Sequence, residues 1–225
     1  IQVHPHDHIA KERHNSFGKN EMWYIMDADD DAEIIVGFNK ELNKKSYSEY
    51  LKNGTVLEVL NKVNAKSGDA FYIPTGRVHA IGSGVLLAEI QQTSDITYRI
   101  YDYKRVDKTT GKERELHNDL ALDVLDFDTQ KTYKSNYESN KNISNQLIHT
   151  PYFKSNILFI QGEMAKNYSE IDSFVTLICT NGSVIVYVDD NSYSIEKGGT
   201  LLLPAVLKNV KLKSNLGCEL LEVYY

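Results

Sequence analysis

The sequence predicts an all-β protein with helical insertions, arranged as two β-barrels. Three observations carry this prediction. Short apolar, β-branched runs recur along the chain and are bounded by Gly, Pro, Asn and Asp. One of them, Gly68-Asp-Ala-Phe-Tyr-Ile-Pro74, sets a Gly and a Pro around a strand-like core and is followed by Gly76 and His79. The same Gly-x5-Pro spacing returns at Gly198-Gly-Thr-Leu-Leu-Leu-Pro204, inside a second β-rich stretch, but without the following Gly and His. The recurrence predicts one barrel repeated, the first copy carrying the chemistry and the second degenerate.

The elements follow in order. Residues 1–5 (IQVHP) read as a strand, and residues 6–16 (HDHIAKERHNS) as a short helix or loop. EMWYIMD (21–27) and EIIVGF (33–38) read as a hairpin around the acidic run Asp27–Asp31, a solvated turn. From Asn39 to Val63, Leu42, Tyr47, Leu51, Val56, Leu57 and Leu60 fall at approximate helical spacing, broken at Asn53-Gly54; this predicts two inserted helices. Strands return at Ala70–Ile73, Val85–Ile90 and Thr97–Tyr103, and DLALDVLDF (119–127) reads as a short amphipathic helix. The expected organisation is a metal-binding catalytic domain over 1–127, a polar connector over 128–149 and a second, degenerate barrel over 150–225. The chain opens directly on a strand with a ligand-like His, which reads as a piece lacking upstream strands of its first barrel.

Composition narrows the function. Lys and Arg number 25 against 31 Asp and Glu, a net charge of −6, which argues against general nucleic-acid binding. No apolar run approaches the roughly 18 residues of a membrane span. Two cysteines, Cys179 and Cys218, form no CxxC pattern and no disulfide framework, so a reduced, cytoplasmic protein is expected.

The candidate site is built around GDAFYIPTGRVH (68–79). Pro74 and Gly76 close a β-type run in a constrained turn, and His79 re-enters the sheet just beyond it. A His on rigid sheet has the restricted orientation a metal ligand needs. Gln2 and His4 are alternate residues of a strand, so both side chains face one side. Glu21, at the start of an apolar strand, completes four candidate ligands: Gln2, His4, Glu21 and His79. Two imidazoles and a carboxylate suit Zn²⁺ and also Fe, Mn or Ni. Trp23 and Tyr24 read as core or cavity wall. The Gly-x5-Pro-x-Gly-x2-His pattern resembles the second signature of the cupin fold, which implies two jelly-roll-like cupin barrels.

A closer resemblance covers residues 1 to about 127. IQVHP, GKNEMWYI, GDAFYIPTGRVHAIG and EIQQTSDITYRIYDYKR occur in the order and register of type I mannose-6-phosphate isomerases in their short bacterial form. The resemblance implies one Zn²⁺ per chain held by Gln2, His4, Glu21 and His79, and active-site roles for Lys19, Glu89 and Arg99. Larger members carry Lys-Pro-Glu where this chain has Lys19-Asn20-Glu21. They also end the Arg99 segment in a Lys whose position is taken here by Arg105, with Lys104 adjoining. Arg99, Lys104 and Arg105 are therefore the expected phosphate-side residues.

The implied reaction is the reversible isomerisation of mannose 6-phosphate and fructose 6-phosphate through a metal-stabilised enediol. Moving a carbonyl between C1 and C2 requires a base, and positive charge where an oxygen becomes negative. Lys19, two residues before a ligand, is placed to shuttle protons, and Glu89 can be the base or can orient Lys19 or Arg99; the sequence does not assign the base. Arg99 can stabilise that oxygen or grip phosphate through its planar fork. The expected partner is a phosphosugar, with no nucleic acid and no membrane, in a monomer or weak homodimer. Two other classes compete: a non-catalytic sugar-binding cupin, which would need neither Lys19 nor Arg99, and an Fe(II)-dependent cupin oxygenase, which would not need the Arg99, Lys104, Arg105 cluster.

Overall fold

The computed structural model describes residues 1–225, and the chain divides into two compact units, Ile1–Lys134 and Ser135–Tyr225. The first unit contains, in order, β1 (Gln2–Val3), α1 (Asp7–His14), β2 (Glu21–Ala28), β3 (Glu33–Phe38), α2 (Lys44–Lys52), a 3-10 turn (Val56–Val59), β4 (Leu60–Asn64), β5 (Ala70–Ile73), β6 (His79–Ile81), β7 (Val85–Gln91), β8 (Tyr98–Arg99) and α3 (Asn118–Leu122). The second contains β9 (Ser144–His149), β10 (Lys154–Asn167), β11 (Val175–Val188), β12 (Asn191–Glu196), β13 (Thr200–Leu203) and β14 (Asn209–Tyr224). The protein is thus mostly β, and its helices are short insertions. No helix is long and apolar enough to cross a membrane.

In the first unit a five-stranded sheet, ordered β4-β3-β6-β1-β8, faces a three-stranded sheet, ordered β5-β2-β7. Strand alternation explains how each sheet is packed. Ile34 and Val36 of β3 point one way, into an apolar layer with Trp23 and Ile25 of β2 and Phe71 and Ile73 of β5. Ile35 and Phe38 belong to the opposite face of the five-stranded sheet. There they pack with Tyr47 of α2, Val56 and Val59 of the 3-10 turn, and Ala121 of α3. Asn43 starts α2 with a reciprocal cap, its side chain accepting from Ser46 N at 3.0 Å and its own N–H donating to Ser46 Oγ at 3.0 Å.

The structure corrects several sequence expectations. β2 and β3 do not form a hairpin. β2 pairs with β5 and β7, while β3 pairs with β4 and β6, so the acidic run carries the chain from one sheet to the other. Both strands are apolar on two faces, and that pattern belongs to strands buried between layers rather than to a half-exposed hairpin. The second helix expected before Val63 is a single 3-10 turn followed by β4, because Asn53-Gly54 ends α2 and Leu60, Lys62, Val63 and Asn64 pair with β3. The strand expected over 97–103 is only Tyr98–Arg99, since Tyr103 and Lys104 take φ of 55° and 53° and turn the chain away.

The second unit is one sheet, ordered β12-β11-β14-β10-β9, with β13 also pairing β11. Bulges at Ile160/Gly162 in β10 and at two places in β11 bend its long strands. Leu158, Leu177, Val186, Leu212 and Leu220 are buried together in its core. Residues 144–149, inside the polar stretch expected to connect two domains, form β9. Asn145 and Leu147 point inward, and the Asn145 amide is spent on the carbonyls of Asn140, Ile143 and Ile157. Glu222 of β14 is buried on the core side with four partners. It accepts from Lys166 Nζ at 2.7 Å, Ser144 Oγ at 2.8 Å, Asn156 Nδ2 at 2.9 Å and Tyr168 OH at 2.9 Å.

The two Gly-x5-Pro segments have the same local form. Gly68 (φ 89°) precedes β5 and Gly198 (φ 86°) precedes β13, and each strand stops at its Pro. After β5 the turn needs Gly76. Its φ is 87°, and a Cβ there would lie 2.8 Å from Val124 O.

Candidate metal centre and active-site cavity

The site lies where the apolar layer between the two sheets of the first unit becomes polar. Gln2 of β1 is in register with His79 of β6 on one side and Arg99 of β8 on the other, so three of the candidate site residues sit in a row across the five-stranded sheet. His4 follows two residues after Gln2 on the same face. The three-stranded sheet faces them with Glu21 and Trp23 of β2 and Glu89 of β7, the last two in register.

Three of the four expected ligands are buried and converge on one point. The ligand atoms of His4, Glu21 and His79 all lie within 4.8 Å of one another. His4 Nε2 is 3.2 Å from Glu21 Oε1, and His79 Nε2 is 3.6 Å from Glu21 Oε2. Each imidazole donates its Nδ1–H to a carbonyl at 2.8 Å, His4 to Ile96 O and His79 to Arg77 O. A carbonyl can only accept, so both Nε2 atoms present lone pairs to the centre. Gln2 Nε2 stands 3.1 Å from His79 Nε2 and 3.5 Å from His4 Nε2, bringing the fourth residue to the same place.

The electrostatics suit a cation. Burial opposes a charge on Glu21, but in the acid range where it titrates the protonated His4 and His79 rings, with Lys19, outweigh it and hold its carboxyl at about 2, so it is ionised near pH 7. Burial, then the neighbouring His4 ring, pushes His79 down to about 3, so it is a neutral donor near pH 7. Glu21 Oε2 is buried with no hydrogen-bond donor. An orphaned carboxylate oxygen facing two imidazole lone pairs is a donor set that fits a divalent ion.

Beside this centre, Lys19 Nζ donates to Glu21 Oε1 at 2.5 Å and stands 3.6 Å from Glu89 Oε1. The Trp23 indole N–H donates to Glu89 Oε2 at 3.0 Å and fixes that carboxylate. The Trp23 ring also meets His79 edge-on at 5.4 Å between centroids. A cavity of about 210 Å³ opens here, lined by Gln2, Trp23, His79, Glu89 and Arg99 among others. Arg99 Nη1 donates to Glu115 O at 3.0 Å, which orients its guanidinium.

The expected phosphate side divides. Arg105 lines the cavity, but its Nη2 is tied to Asp102 Oδ1. Lys104 sits in the left-handed turn next to Arg105 and does not itself line the cavity. Two residues went unread in the sequence. Asp102 is buried, and Arg114, which binds it, also lines the cavity. Their separation in sequence hides them, because a loop closed by the Val106–Glu113 bridge is what returns Arg114 to Asp102.

No family model matches the chain. It is 36% identical over 221 residues to mannose-6-phosphate isomerase ManA of Bacillus subtilis, covering 97% of this chain and 69% of that protein. It is 32% identical over 217 residues to mannose-6-phosphate isomerase of Streptococcus mutans, covering 96% and 67%. The crystal structure of mannose 6-phosphate isomerase from B. subtilis matches with a TM-score of 0.89 at 32% identity, over 100% of this chain and 71% of that one. A mutant of phosphomannose isomerase from Salmonella typhimurium matches at 14% identity with a TM-score of 0.76, over 99% and 74%, a likeness of fold alone. Two relatives above 30% identity, each spanned over two thirds or more of its length, establish the lineage: the chain belongs to the mannose-6-phosphate isomerase family.

Proposed function

We propose that the protein catalyses the reversible aldose–ketose isomerisation of mannose 6-phosphate and fructose 6-phosphate with one Zn²⁺ per chain. The observation that carries this reading is the His4–Glu21–His79 cluster abutting the Lys19–Glu89 pair beside a cavity lined by His79, Glu89 and Arg99. A lysine between two carboxylates next to an ion site is placed for proton transfer, which binding alone does not require.

His4, Glu21 and His79 would hold the ion, with Gln2 offering a neutral fourth group. The ion would supply Lewis acidity toward the sugar oxygens. The remaining chemistry falls to side chains. Lys19, bridging Glu21 and Glu89, can give and recover a proton at a substrate oxygen. Glu89, immobilised by the Trp23 indole, faces the cavity as an acceptor for the proton that moves between C1 and C2. Arg99 supplies fixed positive charge where negative charge develops or where the phosphate rests. The second unit, with its repeated Gly-x5-Pro turn and no ligand set, reads as a degenerate second cupin barrel.

The test is conversion of mannose 6-phosphate to fructose 6-phosphate before and after chelation, followed by Zn²⁺ readdition. Turnover that is lost on chelation and restored by Zn²⁺ is the expected result. A folded, Zn²⁺-loaded protein without turnover overturns the reading.

A further inference from the structure

Of the expected phosphate residues only Arg99 and Arg105 line the cavity, and Arg114 joins them as a third guanidinium. Arg105 and Arg114 are organised by Asp102, which is 5% exposed. Arg114 Nε donates to Asp102 Oδ2 at 2.9 Å, and Arg114 Nη2 and Arg105 Nη2 both donate to Asp102 Oδ1. The segment that delivers Arg114 is built to return. Asp107 Oδ1 accepts from Thr109 N and Thr110 N at 2.8 Å each, and Gly111 N donates to Asp107 O at 2.8 Å. Just beyond Arg114, His117 N donates to Arg99 O at 2.7 Å, and His117 Nδ1 accepts from Arg99 N at 3.0 Å. One loop therefore sets Arg114 through Asp102 and Arg99 through Glu115 and His117.

We propose that Arg114 contacts the substrate phosphate and that Asp102 is the positioning residue that fixes it, with Arg105, at the open end of the cavity. This rests on the phosphosugar reading of the site. Arg114 and Arg105 are 42% and 62% exposed, whereas His79 at the ligand end is 1% exposed, so the guanidiniums lie toward solvent. Three guanidiniums against the one Asp102 carboxylate leave two net positive charges. A phosphomonoester carries about −1.5 to −2 near pH 7. Glu89 also lines the cavity, but Lys19 faces it at 3.6 Å. A guanidinium whose other N–H groups are already fixed loses little freedom when a phosphate docks.

The test uses two substrates and one probe. In an Arg114→Gln variant, the ratio of kcat/KM for mannose 6-phosphate over that for unphosphorylated mannose falls about 10- to 100-fold, the worth of a charge-assisted contact. Binding of inorganic phosphate, read by calorimetry, weakens by a similar factor. Asp102→Asn lowers the same ratio by raising KM for the phosphorylated sugar, while kcat changes little. Arg114→Lys, which keeps the charge without the fork, recovers part of the loss. Unchanged phosphate binding in Arg114→Gln, or an equal loss with both sugars, overturns the proposal. The calorimetry needs no turnover. An inactive protein that binds phosphate through Arg114 would refute the isomerase reading and keep the anion site. An active protein whose phosphate binding ignores Arg114 would do the reverse.

Discussion

Replacing Glu222 should destabilise the second unit by an amount that depends on pH. Its carboxylate takes four hydrogen bonds or ion-pair contacts, from Lys166, Ser144, Asn156 and Tyr168, in a buried position. Glu222→Leu leaves those donors facing an apolar side chain, with the Lys166 ammonium only 15% exposed. Removing one partner of a buried pair costs about 3–5 kcal/mol. Glu222→Gln keeps the shape and one acceptor, so about 1–3 kcal/mol is expected. Burial opposes ionisation, but Lys166, then Asn156 and Ser144, outweigh it and hold the carboxyl below its usual value in the folded state. The folded pKa is lowered, so the charge contributes fully above the unfolded value of about 4.3 and its contribution is lost as pH falls through the folded value. Urea unfolding followed by far-ultraviolet circular dichroism, from pH 7 down to about pH 2, should show wild type converging on Glu222→Gln at the acid end. A gap that stays constant with pH, or that is below about 1 kcal/mol at pH 7, would refute an account based on the charge.

Other predictions concern the first unit. Glu21→Gln removes the only formally charged member of the candidate ligand set, so Zn²⁺ affinity measured by competition with a chelating dye should fall more than about 100-fold, beyond the roughly 10- to 100-fold typical for outer partners. Trp23→Phe frees Glu89 Oε2 from its 3.0 Å hydrogen bond, and kcat should drop about 10-fold with KM little changed, as steady-state kinetics would show. Gly37→Ala should be strongly damaging for so small a change. Its φ is 73°, and the new Cβ would lie 2.3 Å from the buried Tyr133 ring, so about 1–2 kcal/mol of backbone strain adds to about 1–3 kcal/mol of overpacking in a thermal melt.

The site was far more legible in the sequence than its surroundings. Gln2, His4 and His79 could be read because strand alternation and a Pro–Gly turn fix side-chain direction locally, and the structure brings them together with Glu21. Pairing is a different matter. Nothing in EMWYIMD or EIIVGF says that the two strands part into different sheets, since each is apolar on both faces and a two-faced strand carries no partner preference. The Asn- and Ser-rich composition of 136–146 concealed β9, whose inward Asn145 satisfies three carbonyls and behaves as a core residue. Asp102 and Arg114 were invisible because their meeting depends on how one loop closes. Lys104 shows the converse: it adjoins Arg105 in sequence, yet with φ of 53° it does not line the cavity that Arg105 lines.

The separation of β2 from β3 has a thermodynamic consequence. Gln2 and His79 ride on one sheet, with His4 just past the end of β1, and Glu21 rides on the other, so an ion held by all four would span the seam between the sheets. Free energy released on binding would then depend on how tightly the two layers are pressed together. Ile34 belongs to the apolar layer yet contributes no ligand. Shortening it to Ala should cost about 2–5 kcal/mol of packing, and any part of that cost expressed as loosening of the seam reappears as weaker Zn²⁺ binding. Ion affinity would then be a gauge of core integrity, and the core in turn would set how readily a bound ion is retained.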